Sequence, residues 1–130
     1  MKQVNASQHL AVDLGASSGR VALGSFDGER LELSTLHRFP NGGVAVAGRL
    51  YWDILFLWQE LKRGLSLARE PERVESLGLD SWAIDFGLLD AQGHLLDGVR
   101  HYRDARSLGR MEAAFGRLPR EHIYALTGVQ

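Results

Sequence analysis

Apolar and polar positions alternate along the first forty residues in three runs. Residues 10–14 are a short apolar run carrying one acid, Asp13, and the run breaks at Gly15. Alternation resumes at Val21 and Leu23 and continues to Phe26, and Leu31, Leu33 and Leu36 repeat it to about Phe39. Period-two patterns bounded by glycine and polar residues predict strands. Asp27-Gly28 between the second and third runs predicts a tight hairpin of the kind that needs positive φ at both central positions. The chain therefore opens as an antiparallel meander.

Pro40-Asn41-Gly42-Gly43 ends the meander, and residues 44–49 predict an irregular loop or a short hairpin. Asp53 suits a helix N-cap. Behind it Ile54, Leu57, Trp58, Leu61, Leu65 and Ala68 follow helical spacing, with a stop required before Pro71. The stripe is wide enough to lie on a sheet face, and Trp58 is expected in the core. Residues 74–79 then read as a strand parallel to the first, reached by a right-handed crossover. A turn at residues 90–93 leads to a return strand at Leu95 and Leu96. Leu108, Met111, Phe115 and Leu118 predict a helix from Ser107 that Pro119 interrupts, and residues 121–126 predict a last short helix closed by Gly128.

Three antiparallel strands, a helix, a parallel strand and further helix is the order of a ribonuclease H-like α/β fold, the core of the actin-like ATPases. The expected architecture is a mixed sheet, three antiparallel strands followed by β-α units. With no closing strand before Gln130, residues 1–130 read as an incomplete lobe. Composition changes this picture little. Of 130 residues, 45% are apolar and 24% charged, ordinary for a globular protein. A formal net charge of −1 argues against nucleic acid as a partner. The absence of cysteine excludes disulfides, thiolate metal sites and a cysteine nucleophile. No apolar run suits a signal peptide or a membrane span, so no membrane is expected and a cytoplasmic setting is. Histidines 9, 37, 94, 101 and 122 show no metal-ligand spacing, and His101 reads as an ordinary core or surface residue. The arginine-rich stretch 100–120 reads as the solvated face of a helix and its approaches.

The candidate chemistry begins at the turn Gly15-Ala16-Ser17-Ser18-Gly19-Arg20. Successive amides in a small-residue turn form a concave anion site, and serine hydroxyls add donors. Asp13, at the end of the preceding strand, suits a Mg²⁺ ion held through water. A polar hairpin without a ligand would share the same residue types. Further on, Asp85 lies between Ile84 and Phe86, and a carboxylate in an apolar run needs a partner. Asp80 could cap or pair with an arginine. Trp82, on residue type alone, suits the core. Asp104 and Arg106 read as a structural ion pair or a support for Tyr102.

The pattern Asp13-x-Gly15-x-Ser17-Ser18-x-Arg20 resembles the first phosphate motif of the FGGY carbohydrate kinases, and within that family the likeness is strongest to one ketose kinase. The similarity continues through residues 36–42, Trp52-Asp53, residues 78–86, residues 88–90, Tyr102-Arg103-Asp104-x-Arg106, Ile123-Tyr124 and Thr127-Gly128, covering residues 10–130. It implies that the chain is the N-terminal part of the first lobe of an ATP- and Mg²⁺-dependent sugar kinase. Gly15, Ala16, Ser17, Ser18, Gly19 and Arg20 would cradle phosphate, Asp13 would order Mg²⁺ through water, and Trp82, Ala83, Asp85 and Tyr102 would line the ketose site. Position 83 is usually glycine in the family, and here an alanine adds a methyl where the backbone should approach the sugar. The catalytic base, an Asp, and the adenosine pocket lie downstream of these residues in the family, so none of the catalytic residues is expected in this chain. The isolated chain is then expected to be inactive and to self-associate. Two other readings use the same residues: a ribonuclease H-like nuclease with Asp13 and Asp80 or Asp85 as two-metal ligands, and a non-catalytic partner-binding module of the actin-like kind.

Overall fold

The structure, a computed structural model, describes residues 6–129. Strands β1 (Ser7–Leu14), β2 (Ser18–Phe26) and β3 (Leu31–Pro40) form the meander, and β6 (Val74–Ser81) joins the other side of β1. The sheet order is β3-β2-β1-β6, with β1–β2 and β2–β3 antiparallel and β1–β6 parallel. This is a mixed α/β sheet. Between β3 and β6 lie a hairpin of β4 (Gly43–Val46) and β5 (Arg49–Trp52) and the helix α1 (Ile54–Leu65). Helices α2 (Arg110–Phe115) and α3 (Arg120–Thr127) follow β6.

Alternation in β1 and β2 sends Leu10, Val12 and Val21 to one face, where they form the core with Ala68. Helix α1 begins where the Asp53 carboxylate accepts the Phe56 amide at 3.0 Å. It lies on β2 and β3 closely enough that a Cβ on Gly64 would fall 2.4 Å from Val21. Leu36, Leu61 and Leu65 complete the contact.

Several elements differ from expectation, each for a local reason. The Asp27-Gly28 hairpin is a four-residue loop. Only Gly28 there has a left-handed φ, because the Asp27 carboxylate folds over to accept the amides of Glu29 and Arg30. Residues 43–52 make a regular hairpin, the second of the two alternatives read for 44–49, turning on Ala47 and Gly48, both left-handed (φ 48° and 73°). Helix α1 ends at Leu65, before Ala68, and Trp58 lies exposed beside Lys62 and not in the core. The return at Leu95 is a single bridge to Leu89. The helix expected from Ser107 is broken by left-handed Gly109, leaving a 3₁₀ turn at Ala105–Ser107 and the six-residue α2. Arg106 therefore lies on the 3₁₀ turn and Arg110 on α2, with Arg100 in the loop before them. Helix α3 does close on Gly128, with φ 69°. Among the described residues no helix is long and apolar enough to cross a membrane.

Candidate functional site

The turn between β1 and β2 is pinned from inside and from outside. The Gly15 amide donates to the Ser18 carbonyl at 3.0 Å, so it is spent on closing the turn. Asn41, just after β3, donates its side chain to the Gly15 carbonyl at 2.7 Å and its amide to the Ser17 carbonyl at 3.0 Å. Three carbonyls are thereby held, and the amides of Ala16 and Ser17 are left at the tip. Gly19 has a packing reason to be glycine, since a Cβ there would lie 2.3 Å from the Phe39 ring. Arg20 faces Asp13 across the β1–β2 pair and grips its Oδ2 through Nε at 2.9 Å and Nη2 at 2.7 Å. Asp13 is also in register with Asp80 on β6, so two carboxylates stand side by side at the C-terminal ends of parallel strands. Mg²⁺ is commonly held by one or two carboxylates together with substrate phosphates, and this donor set fits such an ion. Among the described residues no group of three metal-ligating side chains occurs.

A second cluster forms around Trp52, the last residue of β5. Its indole stacks between Trp82 and His101, with centroids 4.0 Å away on each side, and His101 stacks in turn on Tyr102 at 4.6 Å. Asp85 closes the group: its Oδ2 accepts the Trp52 Nε1–H at 2.5 Å and the Tyr102 amide at 3.2 Å. The partner that the sequence demanded for this carboxylate is thus an indole and a backbone N–H, and Oδ1 is left for another donor. His101 is buried, with its Nδ1 accepting the Arg103 amide at 3.0 Å, which puts the proton of the neutral ring on Nε2. Burial holds its pKa below the usual histidine value, partly opposed by the Asp85 charge.

Asp104, also buried, accepts the Leu50 amide at 2.7 Å and the Arg106 amide at 3.0 Å. These bonds hold its carboxyl below the usual range and latch the β4–β5 hairpin to the loop carrying Tyr102. Ala83 is left-handed, with φ 53°, the conformation that glycine takes without cost.

A cleft of about 340 Å³ adjoins Trp82 and Asp85 of the second cluster. Leu14, the residue before the turn, lines it together with Trp82, Ala83 and Asp85, and α1 supplies Leu57 and the exposed Trp58. Trp82, Asp85 and Tyr102 come together as the sequence suggested. Trp52, His101 and Asn41 complete the arrangement without having been singled out. Asn41 reaches back 26 residues to Gly15, and Trp52 reaches forward 33 to Asp85 and 49 to His101, so no local spacing betrays these contacts.

The mixed sheet and its helices share the fold of solved sugar kinases. Xylulose kinase from Rhodospirillum rubrum superposes on 90% of this chain and 25% of its own, with a TM-score of 0.70 at 17% identity. Gluconate kinase from Lactobacillus acidophilus gives a TM-score of 0.72 at 13% identity, over 92% of this chain and 24% of that one. The sequence is more specific. The chain is 46% identical over 121 residues to a rhamnulokinase of Bacteroides thetaiotaomicron, covering 92% of this chain and 25% of that protein. It is 40% identical over 131 aligned positions to one of Oceanobacillus iheyensis, covering 100% of this chain and 27% of that protein. The chain is related to the FGGY carbohydrate kinases, and within them to the rhamnulokinases. It spans about a quarter of the length of the curated relatives it matches. No family model matches it.

Proposed function

We propose that this chain is the N-terminal part of the first lobe, ribonuclease H-like in core, of a cytoplasmic ATP- and Mg²⁺-dependent kinase that phosphorylates L-rhamnulose at O1. The observation that carries this reading is that Leu14, between Asp13 and the Gly15–Ser18 turn, lines one cleft with Trp82, Ala83 and Asp85, in a chain 46% identical to a rhamnulokinase over 121 residues.

In this reading the amides of Ala16 and Ser17, with the Ser17 and Ser18 hydroxyls, bind the phosphates of ATP. Gly15 and Gly19 shape the turn, one through its closing hydrogen bond and the other by admitting Phe39. Arg20 fixes the Asp13 carboxylate, which holds Mg²⁺ through water; the ion supplies neutralisation of charge developing on the transferred phosphoryl group. Trp82 packs on the sugar, the free Asp85 oxygen accepts a sugar hydroxyl, and Tyr102 closes the other side. The proton of the attacking hydroxyl goes to an Asp outside these residues, so residues 1–130 alone do not turn over. Ala83 brings a methyl to the cleft wall and narrows the space for the ketose.

An ATP-coupled assay of the full-length protein against a ketose panel tests this. Turnover on L-rhamnulose is expected. Turnover on another ketose alone leaves the kinase and removes the substrate. The register of Asp13 with Asp80 is also what a two-metal nuclease would use. Metal-dependent cleavage of nucleic acid, abolished by Asp13→Asn, would replace the kinase reading.

A further inference from the structure

Phe86 is two-thirds exposed and surrounded by arginines. Arg49, Arg100 and Arg106 line a depression of about 280 Å³ with Phe86, Leu88 and Asp97. Arg106 and Arg110 continue the rim around the same ring. The acids at hand absorb only part of this charge. Asp97 takes Arg100 at 3.2 Å. Asp104 is already engaged by two backbone amides, and Arg49 and Arg106 stand 4.0 and 3.9 Å from its Oδ1, beyond hydrogen-bond reach. Four guanidiniums thus face two carboxylates, in a chain whose net charge is −1.

The frame that carries these side chains is fixed. The Trp52 amide donates to the Val99 carbonyl at 2.8 Å, the His101 amide donates to the Leu50 carbonyl at 3.0 Å, and Tyr51 bridges Arg100. Arg100 also lies 4.2 Å over the Tyr51 ring, which holds its guanidinium plane. Planar, pre-oriented guanidiniums match the oxygens of a phosphate group in pairs. The volume lies at the lower edge of what small-molecule sites usually span, so the ligand's body must be small. Phe86 and Leu88 give that body an apolar wall.

We propose that this depression binds the dianion of a small phosphate monoester, with Arg49, Arg100 and Arg106 on the phosphate and Phe86 against the carbon skeleton. The site is separate from the Gly15–Ser18 turn and does not depend on kinase turnover. It shares Phe86 and Gly87 with the cleft that holds Asp85.

Residue-resolved arginine modification tests it in the full-length protein. Phenylglyoxal labelling of Arg49 and Arg106 is followed by peptide mass analysis, with glycerol 3-phosphate as probe and glycerol, and potassium chloride at matched ionic strength, as controls. At about ten times the dissociation constant, glycerol 3-phosphate should slow labelling of both arginines about tenfold, while Arg38 and Arg73 stay unprotected. Glycerol and chloride should protect neither. The double variant Arg49→Gln, Arg106→Gln should abolish saturable uptake of glycerol 3-phosphate in equilibrium dialysis. The protection experiment itself needs no variant, so a folding defect in that protein leaves the test intact. Absence of protection, equal protection by chloride, or arginines unreactive without any ligand would each overturn the assignment. None of these readouts involves turnover, so they stand whether or not the ketose assay succeeds.

Discussion

At Ala83 the backbone takes φ 53°, which costs an L-residue about 1–2 kcal/mol and glycine very little. Against this, glycine loses more chain entropy on folding. The balance puts Ala83→Gly at about 0.5–1 kcal/mol more stable in denaturant unfolding. A loss of stability would mean that the local conformation is not left-handed in solution. The same change removes a methyl from the cleft wall, so under the proposed function the full-length protein should accept a larger range of ketoses. Trp52 offers a second residue-scale test. Trp52→Phe keeps an aromatic ring between Trp82 and His101 but leaves Asp85 Oδ2 with the Tyr102 amide alone, a change of about 1–2 kcal/mol. In the full-length kinase the KM for sugar should rise with kcat nearly unchanged. Equal KM in the two proteins would reduce Trp52 to packing. Asp85 was legible in the sequence as a carboxylate needing a partner. Which partner it has was not, because the Trp52 indole lies 33 residues back and reaches it only after the hairpin and loop have docked.

At the scale of elements, burial makes His101 harder to protonate than a free histidine, whose pKa is near 6.5. A depressed histidine pKa means the unfolded chain binds the proton better. The stack's contribution is therefore full above about pH 6.5 and drains as the pH falls below it. Thermal unfolding between pH 7.5 and 5.5 should show Tm falling more steeply than in a His101→Gln protein, and parallel slopes would contradict the buried stack. Asp104 acts in the same direction, further to the acid side. Its carboxyl is held below the usual value near 3.8 by the Leu50 and Arg106 amides, so its contribution is present above that pH and lost as the pH drops through the folded value. Asp104→Asn should lower Tm at neutral pH and converge with the parent protein in acid. The meander, α1 and β6 were readable because period-two and helical spacings are local. The β4–β5 hairpin was readable only as one of two alternatives, since alanine seldom occupies a left-handed first position, and the helix at Leu108 failed because Gly109 outweighed an apolar spacing that continued through it.

For the molecule as a whole, the sheet leaves apolar surface uncovered. Leu77 and Leu79 on β6 share the register of the core residues Leu10 and Val12, yet both are more than half exposed, because α1 covers β2 and β3 and stops short of β6. Leu31 and Leu33 on β3 are exposed as well. Apolar surface of this extent favours association, so light scattering of the isolated 130-residue chain should report oligomers, and a compact monomer would count against the expectation. The account rests most on a proposed division of labour, with Asp13 serving phosphate transfer and Asp85 serving the sugar. It is tested most directly by steady-state kinetics of the full-length kinase with Asp13→Ala and Asp85→Ala. Asp13→Ala should cut kcat by about a hundredfold or more at saturating Mg²⁺ with little change in KM for sugar, since charge stabilisation of this kind acts in the transition state. Asp85→Ala should raise that KM by about ten- to a hundredfold through the lost charge-assisted hydrogen bond. Near-normal kcat in the first variant, or an unchanged KM in the second, would contradict the account.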